Sequence, residues 1–205
     1  MIPAAEALQR LRDGNETFSA SVNGPDHFLS SGHRAELVLV QEPFAIILGC
    51  SDARVPAEII FGQGLGALFV IRVAGNIVAP SQVGSVEFAA ERFGTRLVVV
   101  LGHSQCGAVL ATIEALRNPD APSSANLRSI VDRVRPSVEE LLKTDPNREH
   151  DDLVHHAVRS NIRASVNHLR HGSELLERLI AEQGLMVVGA EYSLSTGKVE
   201  FFEGA

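Results

Sequence analysis

Four short runs of apolar, mostly β-branched residues limit what this chain can fold into. They are Phe44–Leu48, Ala67–Val73, Arg96–Leu101 and Leu185–Ala190, the last continuing through Tyr192. A continuous apolar run of this length, unlike an alternating one, marks a strand buried on both faces. Gly49 follows the first run, Gly75-Asn76 the second and Gly102 the third. Helical patterns lie between them. Val83–Phe93 places Val86, Ala89, Ala90 and Phe93 on one face, and Ala108–Leu116 follows the third run. Leu153–Leu169 repeats Leu153, Ala157, Val158, Ile162, Val166 and Leu169 as a long apolar stripe. Ser173 suits the N-cap of a last helix that Gly184 ends.

Strands alternating with helices predict an α/β fold, with a mostly parallel central sheet of about four strands and helices on both faces. The turn Ser195-Thr196-Gly197 and the segment Lys198–Phe202 add an antiparallel edge strand. Ahead of the sheet, Ala4–Phe18 spaces Ala4, Leu8, Leu11 and Phe18 as a helix does, with Gly14 as the point where it would break. Ser21–Ser31 is a turn-rich connection, so residues 1–31 read as an N-terminal helical arm and connection, and a short helix is expected over His33–Gln41. The loops Asn118–Ser124 and Thr144–Arg148 are too short to separate domains. Residues 1–205 are therefore expected to form a single domain.

Composition removes several functions. Lys and Arg number 18 against 25 Asp and Glu, a net charge of -7 without a basic cluster, which argues against nucleic acid or an anionic membrane as partner. No uncharged apolar run approaches the roughly 20 residues of a membrane-spanning helix. The N-terminal segment carries charges where a signal peptide would be apolar, so a cytoplasmic protein is expected. Cys50 and Cys106 are the only cysteines, too few for a disulfide framework. Each taken alone reads equally well as a core residue.

Their placement changes that. Ligands of open α/β sheets gather beyond the carboxyl ends of the strands. Cys50-Ser51-Asp52-Ala53-Arg54 follows the first run there, and His103-Ser104-Gln105-Cys106-Gly107 follows the third. Parallel neighbours lie about 4.8 Å apart, so Cys50 and His103 converge if the two strands are adjacent, and Cys106 can fold back to the same point. Two thiolates and an imidazole suit zinc, and three protein ligands leave a fourth position for water. Such a zinc is a weaker Lewis acid than one held by three histidines. A hydrogen-bond acceptor beside the nucleophile would then help, although the pair Asp52 and Arg54, taken alone, reads as a solvated surface ion pair.

Cys50-Ser51-Asp52-Ala53-Arg54-Val55, Arg72-Val73-Ala74-Gly75-Asn76 and His103-Ser104-Gln105-Cys106-Gly107 together closely resemble the β-class carbonic anhydrases. The resemblance runs from Leu11–Asn15 to Gly189–Tyr192. It implies a Zn2+ enzyme that reversibly hydrates carbon dioxide to bicarbonate and a proton, with zinc-bound hydroxide as nucleophile. It implies Cys50, His103 and Cys106 as metal ligands. Asp52 and Arg54 match the family's dyad, in which the aspartate either pairs with the arginine or swings onto the metal as a fourth ligand. A homodimer or homotetramer is implied as well, the N-terminal helix embracing a partner. Carbon dioxide is apolar, so Val55, Ile59, Ile60 and Phe61 are candidates for its pocket, though each is equally a core residue. Gln63 and Gly107 complete the substrate-contact candidates. Ala53, Gly62 and Ala67 depart from the family pattern. Ile47 stands where a bicarbonate-inhibited subgroup carries Trp, although Arg72 and Tyr192 match that subgroup's anion site.

Other signals point elsewhere. Gly62-x-Gly64-x-Gly66 precedes a strand, whereas a dinucleotide fingerprint follows one. Cys106 as nucleophile with His103 as base is an alternative chemistry. Hydrolysis of CS2 or COS on the same zinc fold is another, and a non-enzymatic zinc or bicarbonate-binding protein a third, against which Asp52 and Arg54 argue. The pairs His155/His156 and His168/His171 lack sulfur or carboxylate companions and read as surface or interface histidines.

Overall fold

In the computed structural model the four apolar runs become β1 (Ala45–Gly49), β2 (Leu68–Arg72), β3 (Leu97–His103) and β4 (Met186–Tyr192), and β5 (Val199–Glu203) closes the set. Residues 2–20, 38 and 41–204 are described. The strand order is β2-β1-β3-β4-β5. The first four strands are parallel, and β5 pairs antiparallel with β4 at the edge, as expected. The helices are α1 (Ala4–Ala20), α2 (Ala57–Ile60), α3 (Pro80–Arg92), α4 (Gly107–Arg117), α5 (Ala125–Thr144), α6 (His150–His171) and α7 (Glu174–Gln183), with a 3₁₀ turn over Ala74–Asn76. The connection expected over Ser21–Ser31 lies outside the described residues. So does the helix expected over His33–Gln41, apart from Val38 and Gln41, neither of which is helical.

The period of two along each strand divides the core between the two faces. Ile46, Leu48, Val98 and Val100 point to the face covered by residues of α3 to α7. Ala45, Ile47, Leu97, Val99 and Leu101 point to the other, where α1 and α2 cover them. All nine are fully buried, and each fully buried Val, Leu or Ile side chain contributes about 1.5–3 kcal/mol. This two-sided demand is why the strands carry no polar alternation.

Three details differ from expectation. Helix α1 runs unbroken through Gly14. The glycine is there because a Cβ would overlap the backbone carbonyl of Phe61, so α1 can lie directly on the end of α2. Asn15 then donates to the carbonyls of Ile60 and Gly197 at 3.2 and 2.9 Å and accepts from Val199 N at 2.7 Å. The apolar stripe of α1, Ala7, Leu8 and Leu11, is buried on its own sheet and gives no argument for a partner.

Second, β3 includes Gly102 and His103 rather than stopping before them. Gly102 is not a turn residue: its Cβ would lie 2.5 Å from Ile162 Cδ1, so it is the notch into which α6 packs. Third, α5 has no counterpart in the sequence pattern. Its buried side is only Val131, Val134, Ser137 and Val138, and Pro136 sits within it on the exposed side. The Ser124 hydroxyl caps it, accepting from Leu127 N at 3.1 Å.

Two glycine substitutions separate packing from helix propensity. Gly14→Ala should destabilise the fold by at least about 2 kcal/mol, because neither backbone can yield. Gly84→Ala, in α3 with nothing within 4 Å of the new Cβ, should stabilise it by about 0.5–1 kcal/mol. Urea unfolding of both variants checks the pair.

Candidate metal centre

Strands β1 and β3 are direct parallel neighbours, with Gly49 opposite Leu101. Cys50 and His103 therefore emerge side by side at the carboxyl edge of the sheet. Cys106 returns to the same point as the residue that caps α4. One ligand atom from each of the three lies within 4.8 Å of the others, and all three residues are buried. It is the only such group among the described residues.

The donor chemistry fits a metal ion. His103 Nδ1 lies 3.0 Å from the Ser104 carbonyl, and a carbonyl only accepts, so the proton resides on Nδ1. Nε2 keeps its lone pair, is fully buried and has no hydrogen-bond partner. An orphaned buried acceptor is costly unless something fills its place, and a carbonyl on the far nitrogen is how a ligating histidine is oriented. The strand end is anchored in turn: Ser104 N donates to the Tyr192 carbonyl at 3.0 Å, and Leu194 N donates to Ser104 Oγ at 3.0 Å.

The sulfurs are set unequally. The Cys106 and Cys50 sulfurs lie within 4.8 Å of each other. Against the opposing effect of burial, the Cys106 thiol beside it and the amides of Gly75 and Asp52 hold Cys50 below the usual thiol range. Cys106 moves the other way, pushed well above the usual thiol range by the Cys50 sulfur beside it and by burial. A divalent cation bound there would favour both sulfurs as thiolates.

Asp52 stands beside the trio. Its Oδ2 lies 3.8 Å from His103 Nε2. Arg54 grips it in a fork: Nη2 donates to Oδ2 at 2.7 Å, Nε to Oδ1 at 2.9 Å, and the Arg54 amide to Oδ1 at 3.0 Å. These bonds hold the Asp52 carboxyl well below the usual carboxylate range, against the opposing effect of burial. Arg72, buttressing the loop from β2, donates Nε to the Cys50 carbonyl at 3.0 Å and Nη2 to the Asp52 carbonyl at 2.6 Å.

The substrate candidates separate. Val55 is buried, and its amide donates to the Asp52 carbonyl at 3.0 Å. Gly107 opens α4 directly after Cys106 and is exposed. Phe61 is buried with its ring 6.3 Å from Phe201, and Gln63 donates to the Phe61 carbonyl and accepts from Arg10, so both face α1 and β5. Ile47 lies in the sheet core, and Tyr192 is buried 6.5 Å from the Phe18 ring. His155, His156, His168 and His171 are exposed, but the first pair does have carboxylate companions: His156 Nε2 lies 3.3 Å from Asp152 Oδ1 and His155 Nδ1 3.7 Å from Glu191 Oε1. Arg72 as a loop buttress and Gly75 as a donor to sulfur were not assigned those roles from sequence.

Residues 45–199 match the family model described as carbonic anhydrase. The chain belongs to the β-class carbonic anhydrase family. Carbonic anhydrase 2 of Mycobacterium tuberculosis is 39% identical over 193 residues, which cover 94% of this chain and 89% of that protein. The β-carbonic anhydrase CafA of Aspergillus fumigatus shares the fold with a TM-score of 0.74 at 25% identity, covering 83% of this chain and 80% of that one. Tetrameric β-carbonic anhydrases of Sordaria macrospora give 0.75 at 24% identity, covering 84% and 87%. The Cys50–His103–Cys106 group could thus hold a metal ion, on a β-carbonic anhydrase fold. No described helix is long and apolar enough to cross a membrane.

The Asp52–Arg54 geometry has a pH signature. The pair's contribution to stability is complete above the ordinary aspartate value of about 3.9 and is lost only as pH falls through the depressed one. In carboxyl-carbon NMR, Asp52 should stay ionised down to about pH 4, whereas Arg54→Gln should bring its midpoint up to about 4 or above. Identical titrations in the two proteins would contradict the assigned cause.

Proposed function

We propose that this β-carbonic anhydrase reversibly hydrates carbon dioxide at a zinc ion held by Cys50, His103 and Cys106, with Asp52 as hydrogen-bond acceptor and Arg54 as its anchor. The observation that carries the proposal is the position of Asp52 Oδ2, 3.8 Å from the unpartnered His103 Nε2 and fixed by Arg54. Zinc, when bound, lowers the pKa of coordinated water towards about 7 and so supplies a nucleophile at neutral pH. Everything else falls to the chain. Cys50 and Cys106 neutralise the ion, and His103 completes a three-residue set that leaves one position open.

Asp52 has room for its part. A carboxylate oxygen accepts about two hydrogen bonds. Oδ1 already takes two, from the Arg54 amide and Nε, whereas Oδ2 takes one, from Nη2. The spare acceptor is therefore on the oxygen that faces the trio. It can take a hydrogen bond from the attacking water and orient it without breaking the pair with Arg54. Val55 supplies apolar wall beside the dyad, and Gly107 leaves open space beside Cys106, where a Cβ would meet nothing within 4 Å. Phe61 and Gln63, engaged with α1 and β5, shape the site from behind. The cysteine-nucleophile chemistry loses support, since a buried Cys106 thiol with a raised pKa is a poor nucleophile.

Assembly follows the same proposal. The Sordaria enzymes are tetrameric, and light scattering on this chain should return a dimer or tetramer of the 22.0 kDa unit.

The test combines metal content with a substrate panel. One zinc per chain and rapid carbon dioxide hydration are expected, with COS and CS2 as the discriminating alternatives. Asp52→Asn and Arg54→Ala should each keep the zinc and lose on the order of 10²-fold or more in turnover. Cys50→Ser should lose the zinc itself. Full activity after exhaustive chelation, or in Asp52→Asn, would overturn the assignment.

A further inference from the structure

We infer that Asn161 and Ser165 of α6 are positioning residues for the Cys50 sulfur, acting through the 3₁₀ turn whose Gly75 amide donates to it. The inference rests on the zinc assignment above and concerns how one ligand is held.

The chain of contacts is continuous. Gly75 N donates to Cys50 Sγ at 3.3 Å. Its own carbonyl accepts from Asn161 Nδ2 at 2.7 Å, and the next carbonyl, of Asn76, accepts from Ser165 Oγ at 3.0 Å. Asn161 and Ser165 are four apart, one turn of α6 and the same helical face. Both are buried, at 2% and 4% exposure, although each is polar on a helix otherwise packed with Leu, Val, Ile and Ala. Two adjacent carbonyls gripped from one helix fix the rotation of the peptide planes around Gly75, and with it the direction of the Gly75 N–H.

The backbone there needs such a grip. Gly75 has φ +71 and Asn76 φ 44, and a Cβ at Gly75 would meet Ala108 Cβ at 2.9 Å. Positive φ suits Gly75 and is tolerated by Asn76, so side-chain contacts to the carbonyls rather than backbone strain fix how these peptide planes are turned. The close docking of α6 that delivers the two side chains depends on Gly102 and Gly189, against which Ile162 seats directly. On the outer side of the clamp a cavity of about 600 Å³, bordered by Glu87, Arg133 and His168, would admit water to the freed carbonyls if the clamp were cut. The turn would then stay solvated but lose its set orientation.

An N–H donor to a metal thiolate draws charge from the sulfur, which outer contacts of this kind use to tune affinity and electronic structure. The test uses the cobalt-substituted full-length protein. Wild type should show a thiolate-to-cobalt charge-transfer band. In Asn161→Leu, which keeps the volume and removes the donor, that band should move to longer wavelength and zinc affinity, measured by chelator competition, should fall about 10-fold. Ser165→Ala should move the band in the same direction by less. If Asn161→Leu fails to fold, Ser165→Ala decides. A wild-type band position in folded variants overturns the inference even if affinity or activity declines, because that pattern is loss of structure alone. Absence of any thiolate band in wild type would instead take down the zinc assignment, so the two failures are distinguishable.

Discussion

The adjacency of β1 and β3 is the constraint from which the site follows. Two sulfurs and an imidazole nitrogen must meet although they arise from distant chain segments, and a parallel pair of strands in register brings their carboxyl ends together. The buried sheet supplies the rigidity: Ile46, Leu48, Val98 and Val100 are locked on one face, and Ile47, Val99 and Leu101 on the other. A slip of one residue in either strand would turn that strand's side chains to the opposite face and break their fit to the helices there. The hydrophobic register therefore also sets where Cys50 and His103 stand.

Much of this was legible because it is written locally. β-Branched runs announce buried strands, and the Cys-x-Asp-x-Arg and His-x-x-Cys segments carry their chemistry within a few residues. Where legibility ended, long-range packing took over. Gly14 looked like a helix breaker and Gly102 like a strand terminator, since both residues usually are. Each instead removes a Cβ so that another element can approach, and only the three-dimensional contact reveals that. Helix α5 escaped notice because it buries one narrow side and carries Pro136 on the other. Asn161 and Ser165 sit in a stripe that read as purely apolar, and their partners are 86 and 89 residues away. No spacing rule links residues so far apart.

The unequal thiols show why the trio is incomplete as a purely protein device. Two buried sulfurs close together cannot both ionise cheaply, so the two thiols are pushed in opposite directions, Cys50 down and Cys106 up. Backbone amides face each of them: Gly75 and Asp52 for Cys50, Ala108 and Val109 for Cys106. Those amides would support both sulfurs as thiolates if a divalent cation were bound.

Charge balance then accounts for the dyad. In the proposed zinc form, a divalent ion with two thiolates and a neutral imidazole would sum to zero, and Asp52 with Arg54 sums to zero beside it. A neutral, partly apolar site presents no electrostatic penalty to a neutral substrate and no strong trap for an anionic product. The same neutrality weakens the metal's pull on water relative to a site with neutral ligands only. An acceptor close to the ion recovers part of that loss, provided it stays ionised without adding net charge. Arg54 meets both conditions: its fork keeps Asp52 charged and aimed, and its own charge cancels the addition. A lysine in its place would balance the charge but could not hold both oxygens in a plane, so the orientation of Oδ2 towards the trio would go.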